Sequence, residues 1–138
     1  MLVTENTSAC GLKNIFVLAA FAMSTTLIAA QSAPDAKTLK NPVASTPESV
    51  AAGQQLYLRN CASCHGRNGQ GGPGNDLIPA APSLLGDKWD HGSTDGEIFT
   101  NIKNGVAPDF NMVPFKDKLK DEEIWSIVLY VRSLGKKS

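Results

Sequence analysis

Two thiols and an imidazole stand together in Cys61-Ala62-Ser63-Cys64-His65, and that spacing is compatible with three chemistries. Cysteines separated by two residues can form a redox dithiol, half of a zinc site, or the double attachment point of a haem. A redox dithiol needs a βαβ surround, and no stretch of this chain alternates with period two. A zinc site needs two further ligands, and His91 is the one additional histidine. Haem attachment needs only what is present. Two thiols one helical turn apart can each add to a vinyl group of the same porphyrin, and the adjacent His65 then lies under the ring, where its imidazole can bind the iron. The motif therefore reads as one covalently bound haem c, with Cys61 and Cys64 as attachment points and His65 as an iron ligand.

The sixth ligand follows by elimination among few candidates. Beyond His65, Met112 is the only methionine and His91 the only histidine. A thioether is a soft, neutral ligand that favours ferrous iron and raises the reduction potential. Met112 sits in Asn111-Met112-Val113-Pro114-Phe115, an irregular stretch able to wrap back over a ring. A gap-filling core methionine would more naturally sit on a helical stripe. Met112 is the favoured ligand; His91 and an open position are the alternatives.

These residues must be positioned by helices and by loops of unusual composition. Thr46-Pro47-Glu48 reads as an N-cap, a first-turn proline and an early acid. Val50, Gly53, Tyr57 and Cys61 then share one face of a helix. Thr94-Asp95-Gly96-Glu97 fits a capping box, followed by the apolar stripe Ile98, Phe99 and Ile102 up to Gly105. A last helix begins near Asp121, with Glu122 and Glu123 at its positive end and Ile124, Ile127, Val128, Val131 and Leu134 as its buried stripe. Between the first two helical stretches, residues 66–92 hold seven glycines and three prolines, which forbids a regular helix and argues against a central strand. The expectation is an all-α domain of three to four helices joined by long glycine-rich loops. So thin a core needs a cofactor as a staple.

The totals exclude other classes. Thirteen basic and thirteen acidic side chains leave no net charge, so nothing general favours nucleic acid or an anionic membrane. Apolar residues make up 42%, a globular value, and three cysteines cannot close a disulfide framework. Residues 1–33 read as an export signal: a polar start with Lys13, an apolar run over residues 15–30, then small residues around a peptidase site. The run falls short of the about 20 residues that span a bilayer, with an uncleaved anchor as the alternative. Cys10 lies inside this segment. Residues 34–46, with Pro34 and Pro42, read as a flexible linker, and residues 47–138 as the folded domain.

On these motifs the chain resembles class I cytochromes c of the small soluble bacterial kind, over residues 48–136. The resemblance implies the cytochrome c fold around one haem, with Cys61, Cys64 and His65 in the attachment and proximal-ligand roles and Met112 as distal ligand. It matches Gly53 and Tyr57 to the glycine and aromatic of the family's first helix and Tyr130 to the aromatic of its last, two helices that cross closely. It further implies that the Pro82 carbonyl accepts a hydrogen bond from the His65 imidazole. Trp89, ahead of His91 and Gly92, resembles a subset in which the indole N–H reaches a haem carboxylate; packing on the haem edge is the alternative. One residue, Val113, separates Met112 from Pro114 where many relatives have Met-Pro directly.

A haem ligated on both faces leaves outer-sphere electron transfer as its chemistry, and no nucleophile–base pair, acid pair or phosphate loop points to catalysis. The expected protein is not an enzyme but a periplasmic one-electron carrier between a dehydrogenase donor and an oxidase or other cytochrome acceptor. The alternatives are a haem subunit of a dehydrogenase or oxidase complex, a gas sensor with labile Met112, or a peroxidase. Lys116, Lys118 and Lys120, or else an apolar rim of Val113 and Phe115, are the expected docking features.

Overall fold

The computed structural model describes residues 35–72 and 80–135. The expected export segment, residues 1–33, lies outside the described residues, as does Cys10. The chain divides into two units, residues 1–31 and 32–138, and all that follows concerns the second.

Among the described residues the fold is all-α, with no strand. Its helices are α1 (Pro47–Asn60), the single turn α2 (Ala62–His65), α3 (Asp95–Asn104) and α4 (Asp121–Leu134), preceded by a 3-10 turn at Ala36–Thr38. Each long helix starts where side chains can answer the unpaired N–H groups of its first turn. Thr46 caps α1, its hydroxyl accepting from Ser49 N, with Pro47 at the first position; the Ser49 hydroxyl accepts from Thr46 N in return. Thr94 and Glu97 form the capping box of α3. At α4 the Glu123 carboxylate accepts the Lys120 N–H at 2.8 Å.

The core is built on the crossing of α1 and α4. A Cβ at Gly53 would stand 2.0 Å from the Ser126 carbonyl oxygen, so the missing side chain is what allows the two backbones to touch. One turn on, Tyr57 and Tyr130 meet with ring centroids 5.1 Å apart and tilted by 56°, a favourable aromatic geometry. Helix α3 joins through Phe99, stacked on Trp125 at 4.1 Å. Tyr57, Ile124, Ile127 and Val128 are fully enclosed, and Cys61 belongs to the same cluster.

The stretch expected to be a free linker is part of the domain. Leu39 and Val43 pack on the core, Ala36 and Leu39 press against Gly96 of α3, and Asn41 Nδ2 donates to the Trp125 carbonyl at 3.1 Å. Two apolar residues four apart and one amide suffice to dock an irregular strap, and none of them leaves a periodic signal.

Candidate haem site

Helix α1 delivers Cys61 to the core, and α2 carries Cys64 and His65 one turn further. Cys64 N and His65 N both donate to the Cys61 carbonyl, at 3.1 and 3.0 Å, so the helical spacing of the two sulfurs is set by backbone. Burial, and then the neighbouring Cys64, push the Cys61 thiol up to about 12. A redox dithiol needs an accessible thiolate, and Cys61 is enclosed and protonated instead. Among the described residues no three His, Cys, Asp or Glu side chains come together as a metal cluster.

His65 Nδ1 lies 3.1 Å from the Pro82 carbonyl oxygen. A carbonyl can only accept, so this contact places the proton on Nδ1 and leaves the Nε2 lone pair for a metal. Burial holds the imidazole below its usual pKa, opposed by the Pro82 hydrogen bond, which keeps the ring neutral as ligation requires. The turn after His65 is tied to α1, because the Tyr57 hydroxyl donates to the Gly66 carbonyl at 2.7 Å.

The Pro82 segment is held from below by residues 69–72. Gly71 has a φ of +79°, and a Cβ there would meet Ser83 N at 2.5 Å. Leu84 N donates to Gly69 O at 2.7 Å, Gly72 N to Ala81 O at 2.9 Å, and Gly71 N to His65 O at 2.9 Å. The glycine-rich loop is thus a close backbone-to-backbone stack that side chains would prevent.

Met112 is half-buried and packs against the cluster that contains Cys61, together with Leu84 and Trp89. Its carbonyl accepts from Val106 N at 2.9 Å, just past the end of α3, and Phe115 N donates to Ile102 O of α3 at 3.0 Å, which ties the Met112 loop down at two points. His91 is exposed and contributes its carbonyl to Asn101 Nδ2 at 2.9 Å.

Over residues 48–131 the chain matches the family described as cytochrome c oxidase, cbb3-type, subunit III. The chain belongs to this family. It is similar to the cbb3-type cytochrome c oxidase subunit CcoP of Azospirillum brasilense, 35% identical over 83 residues that make up 60% of this chain and 28% of that protein. A CcoP of Rubrivivax gelatinosus is 34% identical over 111 residues, 77% of this chain and 34% of its own length. The chain therefore spans about three-tenths of the curated relatives it matches. Among solved structures, the KustC0563 c-type cytochrome is 36% identical with a TM-score of 0.50, covering 61% of this chain and 98% of that one.

The cofactor of this cbb3-type subunit III domain is haem c, and the chain's own residues fit it. Two thiols sit one turn apart, an imidazole offers Nε2, and among the described residues the buried side chains are aliphatic, aromatic or thiol, as an apolar macrocycle demands. Leu85, Phe110 and Val113 are each close to half exposed, more apolar surface than this small core uses.

The fold sets the surroundings of Trp89 and corrects one expectation, that of Phe115. The Trp89 indole N–H donates to the Ser83 carbonyl at 3.0 Å. A Trp has one donor, and the backbone beside it takes that donor. Phe115, expected on an apolar rim, is buried, with the Lys118 ammonium 5.7 Å from its ring centroid; only Val113 of that pair reaches the surface. Sequence reasoning also missed Arg132, which packs over Trp89 at 5.7 Å, pairs with Asp95 at 2.6 Å and donates through Nη2 to the Ser93 carbonyl. No local pattern announces that group, because its members are 37 and 39 residues apart.

Proposed function

We propose that this domain is the haem c electron-transfer part of a cbb3-type oxidase assembly on the periplasmic side of the membrane, with its iron held between His65 and Met112. Similarity to CcoP subunits over most of the folded domain carries the reading, and favours it over the freely diffusing dehydrogenase-linked carrier that the sequence put first. Among the described residues no helix is long and apolar enough to cross a membrane, so attachment would come from outside them or from partner subunits.

When bound, the haem supplies a one-electron couple. The chain's residues do the rest. Cys61 and Cys64 hold the group covalently, which keeps it through every redox cycle. His65, oriented by the Pro82 carbonyl, offers a neutral Nε2, and Met112 offers a thioether that favours the reduced state. Leu84 and Trp89, packed against the cluster that contains Cys61, would help to keep water from the bound group, so that little solvent reorganises as charge changes.

A tagged chain expressed at native level and taken from solubilised membranes tests the proposal. Oxidase subunits and cytochrome oxidase activity should follow the tag. Recovery in the soluble periplasmic fraction, reduced directly by a dehydrogenase and bound to no oxidase subunit, would restore the free-carrier reading.

A further inference from the structure

Pro82 and Ser83 carry consecutive carbonyls that point to different partners. The Pro82 carbonyl faces His65 Nδ1 at 3.1 Å, and the Ser83 carbonyl accepts from Trp89 Nε1 at 3.0 Å. Trp89 is itself anchored twice: its backbone N–H donates to Ser93 Oγ at 2.8 Å, and the Arg132 guanidinium covers its ring. Arg132 in turn is fixed by Asp95 on α3 and by the Ser93 carbonyl. A continuous set of contacts therefore runs from the α3–α4 framework to the peptide that orients the imidazole.

We infer that Trp89, steadied by Arg132 and Ser93, is a positioning residue for His65, acting through the Ser83 and Pro82 peptides. The inference rests on His65 being the iron ligand. Its physical basis is that the Pro82 carbonyl belongs to a loop without regular structure. Backbone bonds from Leu84 N to Gly69 O and from Gly72 N to Ala81 O hold the segment from one side, and the Trp89 indole N–H fixes the Ser83 carbonyl, one peptide beyond Pro82, from the other. A firm acceptor on Nδ1–H raises the basicity of the imidazole and so stabilises ferric iron. Loosening it lowers that basicity and favours the ferrous state. Trp89 thus sets the potential of an iron it does not touch, through a bond of His65 that a merely space-filling tryptophan would leave unchanged.

Holoprotein with Trp89→Phe keeps an aromatic ring under Arg132 and loses the N–H. In the reduced, diamagnetic form, solvent exchange of the His65 Nδ1 proton should speed up severalfold, and the midpoint potential should rise. Ser93→Ala, which frees the Trp89 backbone, should move both in the same direction by less. Trp125→Phe, altering the ring stacked on Phe99, should lower Tm while leaving both readouts alone. The proposal fails if Trp89→Phe or, should that variant not fold, Ser93→Ala gives wild-type exchange and potential while the His65 ring protons keep the large upfield shift of an axial imidazole. Absence of that upfield shift from the wild type would instead overturn the ligand assignment.

Discussion

Gly53 and Ser126 are in backbone contact: any Cβ at residue 53 would stand 2.0 Å from the Ser126 carbonyl oxygen and 2.6 Å from its carbon. Both atoms are backbone inside α4, so no rotamer change relieves the clash, and the helices must separate. Because Tyr57 and Tyr130 meet along the same crossing, separation also opens the layer above Cys61. Gly53→Ala should cost about 1–3 kcal/mol, read as a Tm drop of at least roughly 4 °C in the holoprotein. An unchanged Tm would show that the crossing is softer than its geometry.

Covalent attachment supplies the next expectation. With its core confined to three helices and a glycine-rich loop, the chain alone offsets little of its conformational entropy. Cys61→Ser with Cys64→Ser should lose most helical circular dichroism, and acid–acetone should fail to strip colour from the wild type. A cooperative melt with native helicity in the double variant would contradict the dependence of the fold on haem.

Met112 and His91 can be separated spectroscopically. Met112→Ala should abolish the weak far-red sulfur-to-iron absorption of the oxidised protein and lower the potential, since a thioether stabilises ferrous iron. His91→Ala should leave both as they are, in keeping with its exposed position. The reverse pattern would identify a bis-histidine site.

Glu97 gives a pH dependence with a definite sign. Its carboxylate is held below the ordinary 4.5 first by the Thr94 backbone N–H and then by the Thr94 hydroxyl, with Ser93 N a further donor at 2.9 Å. The folded value lies below the unfolded one, so this capping contribution is complete above pH 4.5 and fades as pH falls through the lowered value. Tm plotted against pH should therefore decline less steeply on the acid side for Glu97→Gln than for wild type. Parallel curves would mean that the charge of Glu97 contributes nothing to the cap.

What the sequence by itself determined lies within a few residues along the chain. Thr46 and Thr94 start their helices because a hydroxyl reaches an N–H three residues on. Val50, Gly53, Tyr57 and Cys61 share a face because helical periodicity puts them there. The spacing of Cys61, Cys64 and His65 names its chemistry because one helical turn is a fixed length. Tertiary structure decided the rest, and each case involves long separations or irregular backbone. Asn41 reaches the Trp125 carbonyl across 84 residues and turns an expected linker into a strap. Arg132 finds Asp95 and Ser93 through the docking of α4 on α3. Trp89 had one donor and several possible acceptors, and only the folded path of the 82–84 segment brought the Ser83 carbonyl within reach. Phe115 turns inward because its backbone is drawn onto Ile102. Glycine-rich loops carry no periodic pattern, so the destinations of their polar groups are chosen by packing and hydrogen-bond satisfaction in three dimensions.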